Sequence, residues 1–370
     1  MTTLDEVSGP GRLAEPDEGI TAEELQLAAR NHAMPLEALR YDVTPLGLHY
    51  LLIHYDIPDI SPDTFRLEID GRVGRPLSLD LAELRQRPRI TQRVTLECAG
   101  NGRALLTPRP VSQPWLVEAV GTAEWTGCSL ADLLRDAGPV DGAVEVVFTG
   151  TDHGVERGVE QDYQRGLPLA EALRADAVLA YEMNGGPLPP QHGYPLRLVI
   201  PGWYGMAHVK WLRQITVVDT PFTGFQNDVA YRYRQEAGEY GDPVTRMRPR
   251  ALVRPPGFPD FMSRVRVQPA GPVRITGRAW SGEAPVTRVE VTVDGGTTWA
   301  DATLGVDTTA PWVWRSWTFD WAATPGRYVL GARATDASGQ QQPVDQPWNR
   351  GGFANNLVQR VEVVVPDQST

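Results

Sequence analysis

Apolar positions along residues 64–201 recur in two rhythms. The runs TFRLEIDG, RVTLEC, AVEVVFTG and LRLVIP are short and rich in β-branched residues, and read as strands. Between them SLDLAELRQ, CSLADLLRDA and PLAEALRA place apolar residues three and four apart, the spacing of a helix face. Upstream, residues 21–40 predict a short helix, with Thr21 as N-cap and Glu24 completing a capping box. Between Glu239 and Met262 the chain turns to Pro, Arg and Gly, and helical spacing disappears. Beyond Met262 apolar and polar residues alternate at the strand period: PVRITGRAW, VTRVEVTVDGG, SWTFDW, RYVLGARATDASG and LVQRVEVVV, with turns at Asp294-Gly295-Gly296 and Pro325-Gly326.

The expected fold class is therefore α+β. A flexible tail over 1–20 precedes a mixed α/β domain over 21–245, and an immunoglobulin-like β-sandwich over 246–370 completes the chain. A length of 370 residues agrees with two cores, since one core rarely grows past ~300 residues. The second domain has no Cys, so any immunoglobulin likeness lacks an inter-sheet disulfide. No internal repeat is visible, and no GxGxxG or GxxxxGK follows a strand, which removes dinucleotides and P-loop nucleotides as ligands.

Composition narrows the partners. A net charge of −11 argues against nucleic acid, whose phosphates need a basic face. No apolar run approaches the ~20 residues of a membrane helix, which argues against a membrane role. The stretch Met1–Glu18 is polar and acidic, without an apolar segment or an arginine pair, so a cytoplasmic location is expected. The two cysteines, Cys98 and Cys128, suit a reducing compartment, with a single disulfide as the alternative. Of 35 Lys plus Arg residues, Lys210 is the one lysine, as at a site that wants a compact ammonium.

Cys98 lies where a strand enters the Gly-rich loop of Leu96-Glu97-Cys98-Ala99-Gly100-Asn101-Gly102-Arg103. A guanidinium nearby favours the thiolate, the form that binds soft metals or attacks as a nucleophile. Three readings stay open for the residue alone: an inert buried thiol, a nucleophile with a histidine base, and a metal ligand. Cys128, at a predicted helix start, reads as a small buried hydrophobe.

LECAGNGR resembles the cysteine signature of the sulfite oxidase family, whose cysteine ligates molybdenum. The resemblance continues through Gln113-Pro114-Trp115, GTAEWTGCSLADLL and LAYEMNGGPLPPQHGYPLRLVIPGWYGMAHVKWL, then GRAWSGEAPVTRVEVTVDGGTTW, RATDASG and PWNRGGFANN, and spans residues 45–365. It implies a molybdenum-molybdopterin cofactor bound through Cys98, and a β-sandwich through which two copies pair as a homodimer. It also implies two-electron oxygen-atom transfer, with sulfite oxidation to sulfate foremost. By the same resemblance Tyr50, Leu51, Leu52, Ile53 and His54 lie against the pterin, Asp152 contacts it, and His192, Arg197, His208, Val209 and Lys210 hold the pterin and its phosphate. Arg103 and Trp115 match substrate-pocket positions.

The match departs from the family pattern at two places. Leu52 stands where the family has a second arginine, and Phe222 aligns with its active-site tyrosine, so an anion-binding charge and a hydroxyl are both expected to be missing. Arg350 is the candidate to supply charge from the second domain. A small oxyanion is the implied substrate, with nitrate, S-oxides or N-oxides as alternatives. A non-catalytic interaction protein with a degenerate cofactor domain is the rival of another class. With no CxxCH motif, no haem is expected in this chain, and a separate cytochrome, quinone or other molecule must accept the electrons. Trp203 and Tyr204 read as packing, or as lining for an electron path.

Overall fold

A computed structural model describes residues 3, 4, 8, 9, 11–306, 311–345 and 347–367. The first domain is built on two sheets. One has the order β2 (Leu77–Leu79), β1 (Leu67–Gly71), β10 (Leu212–Val218), β5 (Glu145–Glu156), β6 (Val159–Pro168), with β1 and β10 parallel and the other pairs antiparallel. The other is antiparallel: β3 (Ile90–Glu97), β4 (Val120–Ser129), β7 (Val178–Met183) and β8 (Gly186–Pro187), with β9 (Arg197–Val199) also on β7. Ile69, Phe148, Leu179, Leu198 and Ile215 are fully buried in the core they share.

Helices form where the sequence supplies both caps and an apolar face. In α1 (Ala22–Arg30) the Glu24 N–H donates to Thr21 Oγ1 at 3.2 Å and the Thr21 N–H to Glu24 Oε2 at 2.9 Å, the predicted capping box. The predicted helix stops at Arg30, and Pro35 opens a separate 3-10 turn over Leu36–Arg40. α2 (Leu81–Gln86) has a second capping box between Asp80 and Glu83. α3 (Leu130–Ala137) starts on Ser129, ends on left-handed Gly138, and buries Leu130, Leu133, Leu134 and Ala137.

The second domain is a sandwich of a four-stranded sheet around Gly271–Trp280 and Arg315–Ala323 and a six-stranded sheet around Gly326–Asp336 and Val361–Val365. Its own core holds Val291, Trp317 and Leu330. The two domains are also packed together, because Leu252, Trp280, Trp314 and Phe353 join the first domain's core. Hydrogen bonds cross the junction as well: the Trp314 N–H donates to Thr95 Oγ1 at 2.7 Å and Arg278 Nε to the Leu39 carbonyl at 2.9 Å.

The N-terminal segment differs from the flexible tail expected. Residues 1, 2, 5–7 and 10 of that tail lie outside the described residues. From Gly11 onward the chain lies along residues 109–111: the Ala14 N–H donates to the Arg109 carbonyl at 2.7 Å and the Val111 N–H to the Arg12 carbonyl at 3.0 Å. Arg109 then fastens it, donating to fully buried Glu24 and to the carbonyls of Glu18 and Gly19. Composition hid this because the contacts are made by backbone groups and one arginine, without an apolar stripe.

Among the described residues no helix is long and apolar enough to cross a membrane.

Candidate active site

Cys98 follows directly on β3, its N–H donating to the Ala119 carbonyl at 2.9 Å while its carbonyl accepts from the Asn101 N–H at 3.0 Å. The loop then doubles back through Gly102, whose φ of +89° is left-handed. Gly100 is needed for a different reason: a Cβ there would stand 2.7 Å from the Arg103 guanidinium carbon, so only glycine lets Arg103 fold over the loop. Arg103 is itself fixed from the second domain, with Nε donating to the Gly351 carbonyl at 3.0 Å, and Nη1 donates to Ser112 Oγ at 3.2 Å.

Arg103 was expected to make Cys98 a thiolate. The structure corrects the balance: burial pushes the thiol pKa up, and Arg103, the Gly100 N–H and Trp115 oppose it without prevailing. A metal ion would displace that proton on binding. Trp115 packs in the same cluster, its indole N–H buried without a hydrogen-bond partner of good geometry. Cys128 is a buried free thiol in the main core, as expected of a small hydrophobe.

Two cavities meet at Leu52, His54, Cys98 and Tyr231. The narrower one runs inward past Tyr50, Leu51, Asp152, His192, Arg197, His208 and Lys210, so nine predicted cofactor residues and Cys98 line one space. Lys210 is half-buried there, Nζ donating to the Leu52 carbonyl at 2.7 Å and lying 4.3 Å from the centre of the Trp211 ring. Burial lowers the Lys210 pKa and raises that of Asp152, each partly offset by the other's charge. Arg197 donates to the carbonyls of His192 and His208, at 3.0 and 3.3 Å, and covers the Trp125 ring at 4.6 Å. His54 Nε2 pairs with the Tyr231 hydroxyl at 2.8 Å, and its ring packs 4.8 Å from Tyr163.

Some predicted contacts are placed differently. The two ring nitrogens of His208 are already engaged, Nδ1 accepting from the Ile200 N–H at 3.1 Å and Nε2 donating to the Trp203 carbonyl at 3.1 Å. That ring shapes the loop and has no nitrogen left for a ligand. Val209 is buried in the core and lies off the cavity wall. Ile53 lines the second cavity, its N–H donating to Asn31 Oδ1 at 2.7 Å. Trp203 and Tyr204 are core residues, with Trp203 Nε1 donating to Glu171 at 3.0 Å.

The second cavity, about 820 Å³, is lined by Arg103, Trp115 and Arg350, which brings three of the predicted substrate-side residues together. Phe222 lies elsewhere: its N–H donates to Glu145 Oε2 at 2.8 Å and its side chain packs on Gly166 of β6. The hydroxyl expected to be missing is present on Tyr231, carried to the cavity junction by a helical turn over Gln226–Ala230. The PFTGF segment offers an aromatic nine positions too early, so aligning on it conceals Tyr231. Leu52 does border both cavities, so the missing guanidinium at that position is a structural fact.

His49 and Tyr163 also line the inner cavity, and no sequence motif singles them out, although HYLLIH carries a second histidine five residues before His54. Further from the cavity, Glu97 anchors the cysteine loop. It accepts from Arg250 Nη1 at 2.8 Å, Trp280 Nε1 at 2.8 Å and Asn101 Nδ2 at 3.0 Å, all buried. Asn355 Nδ2 donates to the Gly102 carbonyl at 2.6 Å, and the Ala354 N–H to the Ala99 carbonyl at 2.7 Å.

Whether a large anionic cofactor fits can be judged from atoms that lack partners. Asp152 Oδ1, Arg197 Nε, His49 Nε2 and Trp115 Nε1 are buried without hydrogen-bond partners, and all four residues line these cavities. Buried polar groups are rarely left so, and their grouping here matches a ligand with donors, acceptors and negative charge. The donor set fits a metal-bearing pterin with an anionic tail.

The fold and this site define a molybdopterin-binding oxidoreductase with a mixed α/β cofactor domain and a β-rich second domain. The family model for the oxidoreductase molybdopterin binding domain matches residues 54–226, and that for the Mo-co oxidoreductase dimerisation domain matches residues 258–365. The chain is 37% identical to the sulfite oxidase of Gallus gallus over 350 residues, covering 86% of this chain and 72% of that one. It is 34% identical to the mitochondrial sulfite oxidase of Homo sapiens over 347 residues, covering 87% of this chain and 62% of that one. It is 30% identical to the NADH nitrate reductase of Spinacia oleracea over 375 residues, covering 90% of this chain and 39% of that one. The sulfane dehydrogenase SoxCD of Paracoccus pantotrophus superposes with a TM-score of 0.79 at 25% identity, covering 96% of this chain and 90% of that one. The chain belongs to the sulfite oxidase family of molybdopterin-dependent oxidoreductases.

Proposed function

We propose that this protein catalyses two-electron oxygen-atom transfer on a small anionic substrate, with sulfite as the first candidate and a separate molecule as electron acceptor. The observation that carries the reading is the meeting of the inner polar cavity and the arginine-lined outer cavity at Cys98. In this reading Cys98 would anchor molybdenum, while Tyr50, His54, Asp152, His192, Arg197 and Lys210 would hold the pterin and its phosphate. The cofactor, when bound, supplies the redox chemistry. The protein supplies position and charge. Arg103 draws the oxyanion to the junction and fixes its direction, Tyr231 offers a hydroxyl there, and Trp115 excludes water from one side. Sulfite plus water then gives sulfate, two protons and two electrons, and the electrons leave to the acceptor. The dimerisation domain supports a homodimer.

Elemental analysis should find about one molybdenum per chain after expression with the cofactor pathway, and Cys98→Ser, which leaves the pterin contacts in place, should abolish sulfite turnover. Sulfite turnover with a soluble one-electron acceptor should vanish with the metal. A protein without molybdenum, or unchanged sulfite turnover in the serine variant, would end the proposal. One observation favours a second substrate, nitrate: Leu52 removes a cation from the wall, and the spinach nitrate reductase is among the relatives. Turnover of nitrate exceeding that of sulfite would shift the assignment without disturbing the cofactor site.

A further inference from the structure

The outer cavity holds more positive charge than one small oxyanion requires. Arg12, Arg103, Arg157, Arg232, Arg234 and Arg350 line it, against Glu156 as its one acid among the described residues, in a chain of net charge −11. Several of these cations are already satisfied. Arg12 pairs with Glu18 at 2.6 Å, Arg232 donates to the carbonyls of Asn227, Tyr240 and Gly241, and Arg234 to those of Asp228 and Tyr240. The Arg157 and Arg350 guanidiniums have no hydrogen-bond or carboxylate partner among the described residues.

Arg157 is also placed at a conformational cost. Glu156 pairs with Val159 across the β5–β6 hairpin, so Arg157 and Gly158 form a two-residue turn with φ of 50° and 77°. Both positions of such a turn favour Asn, Asp or Gly, and a long side chain at the first is strained. Its guanidinium lies against Gly11 of the N-terminal segment, where a Cβ would come within 3.2 Å of Arg157 Nε. Hairpin and segment together hold this cation at the cavity mouth. Burial is the main reason the Arg103 and Arg234 pKa values fall, and the like charge of Arg157 adds to it, which an anion between them would offset.

We propose that Arg157 is a second anion subsite, and that the cavity takes an elongated substrate with two separate anionic groups. The reacting group sits at Arg103 beside Cys98, and the remote group is held at Arg157. The inference deepens the functional reading above and rests on it for the identity of the reacting end.

Redox-inert probes test it on the metal-loaded protein. By calorimetry at fixed ionic strength, 1,3-propanedisulfonate should bind about tenfold or more tightly than methanesulfonate. Arg157→Asn puts a residue preferred by the turn in place of the cation, so the variant should fold at least as well, with an unchanged or higher melting temperature. It should nevertheless bring the ratio below about threefold while leaving methanesulfonate binding unchanged, and Arg157→Lys should keep part of the preference. Equal affinities in the parent protein, or equal loss of both probes in Arg157→Asn, would overturn the subsite. Molybdenum content is measured on the same samples: a preference for the disulfonate in metal-free protein would keep the subsite and reject the metal reading.

Discussion

His49, His192 and His208 are each at most 4% exposed, and burial is the main reason their pKa values fall to about 4, 2 and 3. For His192 the positive charges of Arg197 and Lys210 add to the effect. The unfolded chain takes these protons near pH 6.5 while the folded chain does not, so the unfolded state binds more protons in between. Stability is therefore full above about pH 6.5 and falls with pH below it, by about 1.4 kcal/mol per pH unit for each such histidine. The denaturant midpoint should drop steeply between pH 7 and pH 5, and a flat profile would mean that these rings are protonated in the fold. At the cavity junction, Tyr231→Phe removes the hydroxyl that meets His54 Nε2 at 2.8 Å. One net hydrogen bond is worth about 1 kcal/mol, so kcat/KM should fall about three- to tenfold with the metal retained. Steady-state rates beside metal analysis separate this from loss of cofactor.

The cysteine loop is held less by its own residues than by an element from the other domain. Glu97 and Arg250 are 1% and 0% exposed, and removing one member of such a buried pair leaves the other charge uncompensated. Glu97→Ala should cost about 3–5 kcal/mol and loosen the loop carrying Cys98, seen as a lower midpoint together with weakened metal retention. Unchanged stability would show that water or Asn101 compensates. The N-terminal segment is held by the same kind of device: Arg109→Ala strips the partner from fully buried Glu24, and limited proteolysis within residues 11–20 should become markedly faster. Neither device was legible in the sequence. The capping box of Thr21 and Glu24 was, because its partners are three residues apart, and so was the position of Cys98 at a strand end. Glu97 and Arg250 are 153 positions apart, and nothing local marks either as half of a pair. Tyr231 was hidden by an aromatic at Phe222 that satisfied the same pattern one loop too early. The likeness of LECAGNGR gave the residue types of the pocket, whereas the order in which burial outweighs Arg103 at the thiol needed the three-dimensional packing.

At the scale of the whole molecule, the second domain leaves apolar surface that the single chain does not cover. The hairpin between Phe258–Pro259 and Arg266–Val267 forms one end of the six-stranded sheet, and along it Phe258, Phe261 and Met262 are 60%, 83% and 83% exposed. Apolar side chains grouped in this way usually mark an interface, and these lie within residues 258–365, the match to the family's dimerisation domain. A second copy of the chain is the occupant that the match favours, and a symmetric pair would bring the same patch from both copies together. The parent protein should therefore run as a dimer in sedimentation velocity, and Phe261→Asp combined with Met262→Asp should shift it toward monomer. The hairpin is remote in sequence from Cys98, and its exposed side chains take no part in either cavity. Molybdenum content should then survive in the monomeric variant, because the clamp on the cysteine loop comes from Arg250, Trp280 and Asn355 of the same chain. A variant that stays dimeric would place the interface on another face of the sandwich. A monomer that loses its metal would show that pairing of copies, and not only the contact between domains, keeps the cofactor site closed.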